Sequence, residues 1–158
     1  MDKFRQLSVG YPIAVALDAA GDATSWLTSE VGGWDLPETR PGPFGSVSAG
    51  GAWVCGVRSE GSLSCWAPGF PGLDKKYADM TPTGTFAAVS VGYNAACALQ
   101  PDGHPVCFGR APDLPEYAVP DATFTQISTG DGFVCGITTE QGILCWGDNG
   151  NGESNPPE

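Results

Sequence analysis

Six cysteines and one histidine carry the most distinctive chemistry in this sequence. The cysteines form three pairs whose two members lie ten residues apart, and the midpoint of each pair is an acidic turn residue. These pairs are Cys55 and Cys65, Cys97 and Cys107, and Cys135 and Cys145. Residues equidistant from the turn of an antiparallel hairpin face each other at a separation that a disulfide accepts. The spacing therefore predicts three disulfides, each within one hairpin, with six buried free thiols as the alternative.

Catalytic and metal-binding residues find little support in the sequence. His104 is the only histidine, and no serine or cysteine nucleophile lies beside it, so we interpret it as an exposed turn residue. The cysteines lack the close spacing of a zinc site. Residues 147–153 (GDNGNGE) lack the alternating acids and distal glutamate of a calcium loop. We therefore predict no enzymatic activity, no metal and no cofactor.

Four repeats of one pattern must position these residues. Each repeat begins with a phenylalanine, has a serine four residues later and a glycine six residues later, and ends with an aromatic residue 22 positions on. The leading residues, 40, 42 and 38 residues apart, are Phe4, Phe44, Phe86 and Phe124. Self-similarity at this period is typical of a β-propeller blade.

The repeat predicts an all-β fold in one repeat domain over residues 1–158. The blades are expected at about 4–43, 44–85, 86–123 and 124–158. Each contains three strands, and its proline-bearing connector could supply an outer fourth strand. No stretch has a sustained helical period. The aromatic residues at the two ends of each repeat are expected to form the core between blades.

Composition narrows the class of partner. The net charge is −11, from 18 acidic and 7 basic residues, and the basic residues are scattered. This charge disfavours nucleic acid and favours a partner with a basic surface, although it also serves solubility. No apolar run approaches the ~20 residues that span a bilayer, so no membrane partner is expected.

The fourth repeat resembles the regulator of chromosome condensation (RCC) repeat. The motifs that carry this resemblance are Phe-x-x-Ile-Ser-x-Gly, Cys-Gly-Ile and Gly-Ile-Leu-Cys-Trp-Gly-x-Asn, between positions 124 and 149. The paired cysteines make the chain similar to the extracellular variety, found in crinkly-type plant receptor kinases and secreted bacterial proteins. The resemblance implies a propeller, usually of seven blades, that binds proteins and has no catalytic chemistry. An extracellular or other oxidising compartment follows if the disulfides form. The chain shows no signal peptide, so a cytoplasmic location stays open.

Candidate binding residues lie in the segment that joins the first two strands of each repeat. Tyr11, Tyr93 and Asp131 occur seven residues after the leading phenylalanine, and Trp53 and Phe133 occur nine residues after it. The four blades would present these residues on one rim, where aromatic residues favour binding. The alternative is that the residues at the ninth position turn inward and pack.

The first functional hypothesis is a non-enzymatic protein-binding propeller that uses this rim. A carbohydrate-binding propeller and a structural fragment of a larger propeller are the alternatives. Four blades cover little more than half of a seven-bladed circle, so both outer faces would expose apolar surface. We therefore expect a homodimer that completes a ring.

Overall fold

The strands of this chain form four short antiparallel sheets, each made from consecutive strands. The structure is a computed structural model, which describes residues 3–27, 37–109 and 118–156. The first sheet contains β1 (Phe4–Val9), β2 (Ile13–Asp18), β3 (Ala23–Leu27) and β4 (Glu38–Arg40) in that order. Strand β4 comes from a connector, so the expected outer fourth strand is present in this sheet.

The other three sheets have three strands each. The second contains β5 (Phe44–Gly50), β6 (Trp53–Arg58) and β7 (Leu63–Trp66). The third is formed by β8 (Ala88–Val91), β9 (Ala95–Leu99) and β10 (Pro105–Gly109). The fourth contains β11 (Phe124–Thr129), β12 (Phe133–Thr138) and β13 (Ile143–Gly147). The all-β prediction is confirmed, and most of the connector after the third sheet (110–117) lies outside the described residues.

A helix, α1 (Pro71–Met80), follows the second sheet where an outer strand was a candidate. The expectation of no helix is therefore wrong at this position. Proline in the first turn suits a helix start, and Asp74 in that turn interacts favourably with the helix dipole. Tyr77 anchors the helix because its ring is buried and stacks on Trp53, with centroids 4.7 Å apart. Packing of this kind can stabilise a helix that lacks a regular apolar stripe.

The core lies in three layers, each between two successive sheets. Ile13, Val15 and Leu17 of β2 pack against Phe44 and Trp66 of the second sheet. Equivalent clusters join the second sheet to the third and the third to the fourth. As expected, most of the repeat-end aromatic residues are buried here: Phe44, Trp66, Phe86, Phe108, Phe124 and Trp146.

The first repeat departs from this expectation. Phe4 is 55% exposed and Trp26 is only partly buried. Both side chains belong to the face of the first sheet that packs against the preceding sheet in every other repeat. Among residues 3–27, 37–109 and 118–156 no sheet packs on this face, so the prediction that these two residues form core between blades is wrong for the structure described.

The three predicted disulfides are confirmed. Each joins directly opposed residues of the second and third strands of its own sheet, with Cα atoms 4.1, 4.0 and 4.1 Å apart. In the first sheet the same opposed positions hold Val15 and Ser25. Closing a loop of this length stabilises a chain by roughly 2.8 kcal/mol in the chain-entropy model. The second, third and fourth sheets therefore carry a covalent link that the first lacks.

Candidate binding rim and end faces

The candidate binding rim consists of the turns after β1, β5, β8 and β11, and these turns lie side by side. Glycine allows this close approach. A Cβ atom on Gly50 would lie 2.3 Å from the carbonyl oxygen of Val91, and one on Gly92 would lie 2.1 Å from that of Gly130. A Cβ on Gly10 would similarly lie 2.7 Å from the Cα of Gly50. The recurring glycine of the repeat therefore brings the four turns into one continuous rim.

Three of the five predicted binding residues are exposed on this rim. Tyr11 is 70% exposed and Tyr93 is 53% exposed, and Asp131 is also exposed. The side-chain amide of Asn94 lies 3.4 Å from an Asp131 carboxylate oxygen, which links the third turn to the fourth. The rim thus presents two tyrosine rings and an acidic group to solvent.

Trp53 is buried beneath the rim. The expectation that its side chain is exposed on the rim is therefore wrong. Its side chain is 0% exposed, and its indole N–H donates a 3.1 Å hydrogen bond to the carbonyl oxygen of Gly92. Its ring stacks on Tyr77 and meets the ring of Phe108 edge-on at 6.0 Å. Helix α1, which the sequence did not predict, supplies Tyr77, and the third sheet supplies Gly92 and Phe108, to the surroundings that bury this tryptophan.

Phe133 occupies an intermediate position. It is partly buried, and a Cβ atom on Gly130 would lie 2.6 Å from its ring. The phenylalanine therefore packs on the backbone of its own turn. Of the two residues at the ninth position, Trp53 packs fully inward and Phe133 keeps part of its ring exposed.

His104 lies in an exposed turn. Its Nδ1 atom is 3.2 Å from an Asp102 carboxylate oxygen, and both side chains are more than half exposed. The backbone N–H of His104 donates to the same carboxylate, and this bond, with the side-chain contact, lowers the pKa of Asp102. Across residues 3–27, 37–109 and 118–156, no three histidine, cysteine or acidic side chains cluster as metal ligands would. No helix in those ranges is long and apolar enough to cross a bilayer.

The outer face of the first sheet contains an open apolar groove. Phe4, Leu7, Ala16 and Trp26 line this groove together with polar side chains, and its volume is about 560 Å³. Leu7 is exposed. We call this surface the leading face, since in later repeats the same surface packs on the preceding sheet.

The outer face of the fourth sheet is apolar as well. Ile137 and Ile143 oppose each other on β12 and β13, and Ile143 is 53% exposed. The disulfide between Cys135 and Cys145 is partly exposed on the same sheet, whereas Cys55 and Cys97 are buried in the layers between sheets. We call this surface the trailing face, since the equivalent residues of earlier repeats meet the next sheet.

Comparison with known proteins agrees with this architecture. Residues 124–153 match the family described as the regulator of chromosome condensation (RCC1) repeat. The chain is 30% identical, over 173 aligned positions, to the serine/threonine-protein kinase-like protein CCR2 of Arabidopsis thaliana. That alignment covers 86% of this chain and 21% of the relative.

Two solved structures show the same fold. One is the CRINKLY WD40 ectodomain of the Arabidopsis thaliana receptor kinase ACR4, with a TM-score of 0.73 and 26% identity over 100% of this chain and 55% of the other. The second is Prp20p of Saccharomyces cerevisiae, a structure described with its binding to Gsp1p and histones. Its TM-score is 0.70 and its identity 16%, over 92% of this chain and 44% of the other. The chain thus spans about a fifth of the kinase-like relative and about half of each solved chain.

The repeat period, the four sheets, the three disulfides and these similarities point to one family. The resemblance stated from the sequence is confirmed: the last repeat, over residues 124–153, is a member of the regulator of chromosome condensation repeat family, and the whole chain is similar in fold to the CRINKLY ectodomain.

Proposed function

We propose that this chain is a non-enzymatic module that binds a protein partner through its rim. The observation that carries the proposal is the exposure of Tyr11 and Tyr93 on the first and third turns of a rim whose successive turns approach closely at glycines. Large aromatic rings that are exposed on a rigid scaffold are typical anchors of protein interfaces. Asp131 and the exposed part of Phe133 extend the proposed surface, and Trp53 supports it from within.

The partner that fits this surface is a protein segment with basic side chains. The net charge of −11 favours basic partners and disfavours nucleic acid. Prp20p, which has the same fold, is described as binding the proteins Gsp1p and histones. The three disulfides and the similarity to a receptor ectodomain favour an extracellular or other oxidising compartment for this encounter.

A peptide-display selection tests the rim. Random peptides selected against the whole chain should be enriched in arginine and lysine, and their affinity should fall as salt is raised. Tyr11→Ala and Tyr93→Ala should each weaken the selected peptides about tenfold, which corresponds to about 1.4 kcal/mol. Leu144→Ala, which changes a partly exposed side chain on the fourth sheet, is the matched control. Selected peptides that bind both tyrosine variants as well as the unmodified chain would overturn the proposal.

The proposal includes the assembly of the chain. We propose that residues 1–158 form one repeat domain, with blades at about 4–43, 44–85, 86–123 and 124–158, and that two copies associate. The leading and trailing faces support this, because both are apolar and exposed. Light scattering coupled to size exclusion should give twice the chain mass of 16.3 kDa. A mass of one chain over a wide range of concentration contradicts the homodimer.

A further inference from the structure

Serine hydroxyls tie each sheet to the next along their first strands. The serine four residues after the leading phenylalanine accepts a backbone N–H from the first strand of the following sheet. These bonds join Ala49 to Ser8 at 3.0 Å, Val91 to Ser48 at 3.0 Å and Thr129 to Ser90 at 2.8 Å. In every case the donor lies five residues after its own leading phenylalanine. All three joints of the chain therefore share one polar contact with one register.

The first joint has further polar contacts, one of them made by a residue type that recurs in the fourth repeat. The side-chain amide of Gln6 pairs with the backbone of Val47: its Nε2 atom donates to the carbonyl oxygen at 2.9 Å, and its Oε1 atom accepts the N–H at 3.0 Å. Glutamine recurs at this position only in the fourth repeat, as Gln126. The fourth repeat therefore carries the same polar pair as the first, in the form of Gln126 and Ser128.

This second pair lacks the contacts that the first pair makes. Gln126 and Ser128 are both exposed on β11, and neither side chain hydrogen-bonds to any residue in the part of the chain that the structure describes. Strand β11 pairs with β12 in the register that β1 uses with β2, including the irregularity after the leading phenylalanine. The trailing face thus has the polar groups of a joint in the geometry that a joint uses.

The other half of such a joint lies on the leading face of the same chain. Leu7 and Val9 stand three and five residues after Phe4, as Val47 and Ala49 do after Phe44. Leu7 is 61% exposed and Val9 is 64% exposed on the first strand, whose backbone is the equivalent of the one that Gln6 and Ser8 bind.

We propose that β1 of a second copy docks beside β11. The hydroxyl of Ser128 then accepts the N–H of the second copy's Val9, and the amide of Gln126 pairs with the backbone of its Leu7. Phe4 of the second copy covers Ile137 and Ile143, as Phe44 packs on β2 within one chain. This inference rests on the proposed homodimer and gives it a register. The second copy fits because one chain carries both halves of a joint, which continues the three joints already present.

Two such joints, related by a twofold axis, close the assembly. The trailing face of each copy meets the leading face of the other, so that no apolar outer face stays open. The result is a ring of eight sheets in which all neighbours use the same serine contact.

Cysteine cross-linking tests the register directly. A Val9→Cys variant is mixed with a Ser128→Cys variant and oxidised mildly, and the native disulfides are verified by peptide mapping. The short N–H to Oγ distances of the interior joints place these positions within reach of a disulfide. Mass spectrometry should find position 9 linked to position 128 between copies. Ser128→Cys mixed with Tyr93→Cys, which lies on the rim, should give no such link.

A second pair of variants tests the covered face. Ile143→Arg places a charge on the trailing face. It should raise the dissociation constant of the dimer, measured by sedimentation equilibrium, at least tenfold. Leu144→Arg alters the next residue of β13, which points to the opposite face of the sheet. It should change the dissociation constant of the dimer less than threefold. A dimer that forms without the link between positions 9 and 128 overturns this register and leaves the homodimer standing. A monomer at every concentration overturns both, and neither result bears on the peptide-binding rim.

Discussion

At the scale of single residues, Trp53 and Phe133 show how one repeat position serves two purposes. Trp53 has a polar partner, the carbonyl oxygen of Gly92, and an aromatic neighbour on either side. Phe133 rests on Gly130 with part of its ring in solvent. The two rings differ in burial because they differ in their surroundings. A large aromatic side chain is stable in the interior only where neighbouring atoms pack around the whole ring.

The two residues should respond differently to truncation. Trp53→Ala leaves a large cavity and should lower the free energy of unfolding by about 3–5 kcal/mol. Phe133→Ala should cost about 1–2 kcal/mol, because part of its ring is already in solvent and loses no burial. Chemical denaturation of the two variants, with the disulfides intact, measures both values. Equal losses for the two variants would contradict the structural difference.

At the scale of elements, α1 is held by one carboxylate as well as by Tyr77. The carboxylate of Asp74 accepts a hydrogen bond from the guanidinium of Arg40 on β4. It also accepts one from the backbone N–H of Ala67, at 2.8 Å. Burial acts to lower the pKa of Arg40, but its hydrogen bonds to Asp74 and Glu38 outweigh this and raise it. Arg40 also lies over the ring of Trp66, at 5.6 Å from its centroid. Asp74 therefore ties the helix to the first and second sheets together.

Removing this carboxylate should loosen the helix. Asp74→Ala is expected to lower the free energy of unfolding by about 1 kcal/mol. The loss is small because the side chains of Asp74 and Arg40 are each about one-third exposed, so that water screens their attraction. Hydrogen exchange should show faster exchange of the α1 amides in this variant. The matched control is Asp79→Ala in the same helix, which breaks an exposed pair with Lys75 and should change stability by less than about 0.5 kcal/mol. Similar losses in the two variants would argue against the tie.

Strand positions and disulfides could be predicted from the sequence because they depend on local spacing. Opposed cysteines around a turn determine each other's position within one hairpin, and the repeat supplies the register four times. Helix α1 could not be predicted in this way, since its stability comes from contacts distant in sequence, between Tyr77 and Trp53 and between Asp74 and Arg40. The burial of Trp53 was missed for the same reason. The exposure of Tyr11 and Tyr93 followed from their position in turns.

At the scale of the whole molecule, the turn between the last two strands distinguishes the trailing face from the earlier joints. The carbonyl oxygens of Gly21, Gly61 and Gly103 accept the N–H of the next leading phenylalanine at 2.8–2.9 Å. The fourth repeat has Gln141 at this position, with a φ of 68° that side chains rarely adopt. A Cβ at Gly103 would lie 2.9 Å from the carbonyl oxygen of Phe124. In the proposed joint the Cβ of Gln141 would therefore meet the backbone of the second copy's Phe4.

Replacing this side chain should tighten the dimer. Gln141→Gly removes the Cβ, so that Phe4 of a second copy can approach as Phe124 approaches Gly103. We expect the dissociation constant of the dimer to fall about tenfold, equivalent to about 1.4 kcal/mol. Glu140→Gly, at the preceding turn position, adds the same backbone freedom and should not tighten the dimer. Sedimentation equilibrium measures both variants, and an unchanged constant for Gln141→Gly would show that this turn lies outside the joint.

The placement of the three disulfides has a mechanical consequence. Each closes a short loop within one hairpin, with its cysteines ten residues apart in sequence, and none joins one sheet to another. When the chain is pulled from its two ends, the disulfides would therefore not resist the separation of one sheet from the next. Each disulfide would still prevent its own loop from extending, which shortens the stretched chain by about 35 Å. The first sheet has no such loop and would extend completely under the same force. Force spectroscopy before and after reduction should thus differ by three equal increments, one for each cross-linked hairpin.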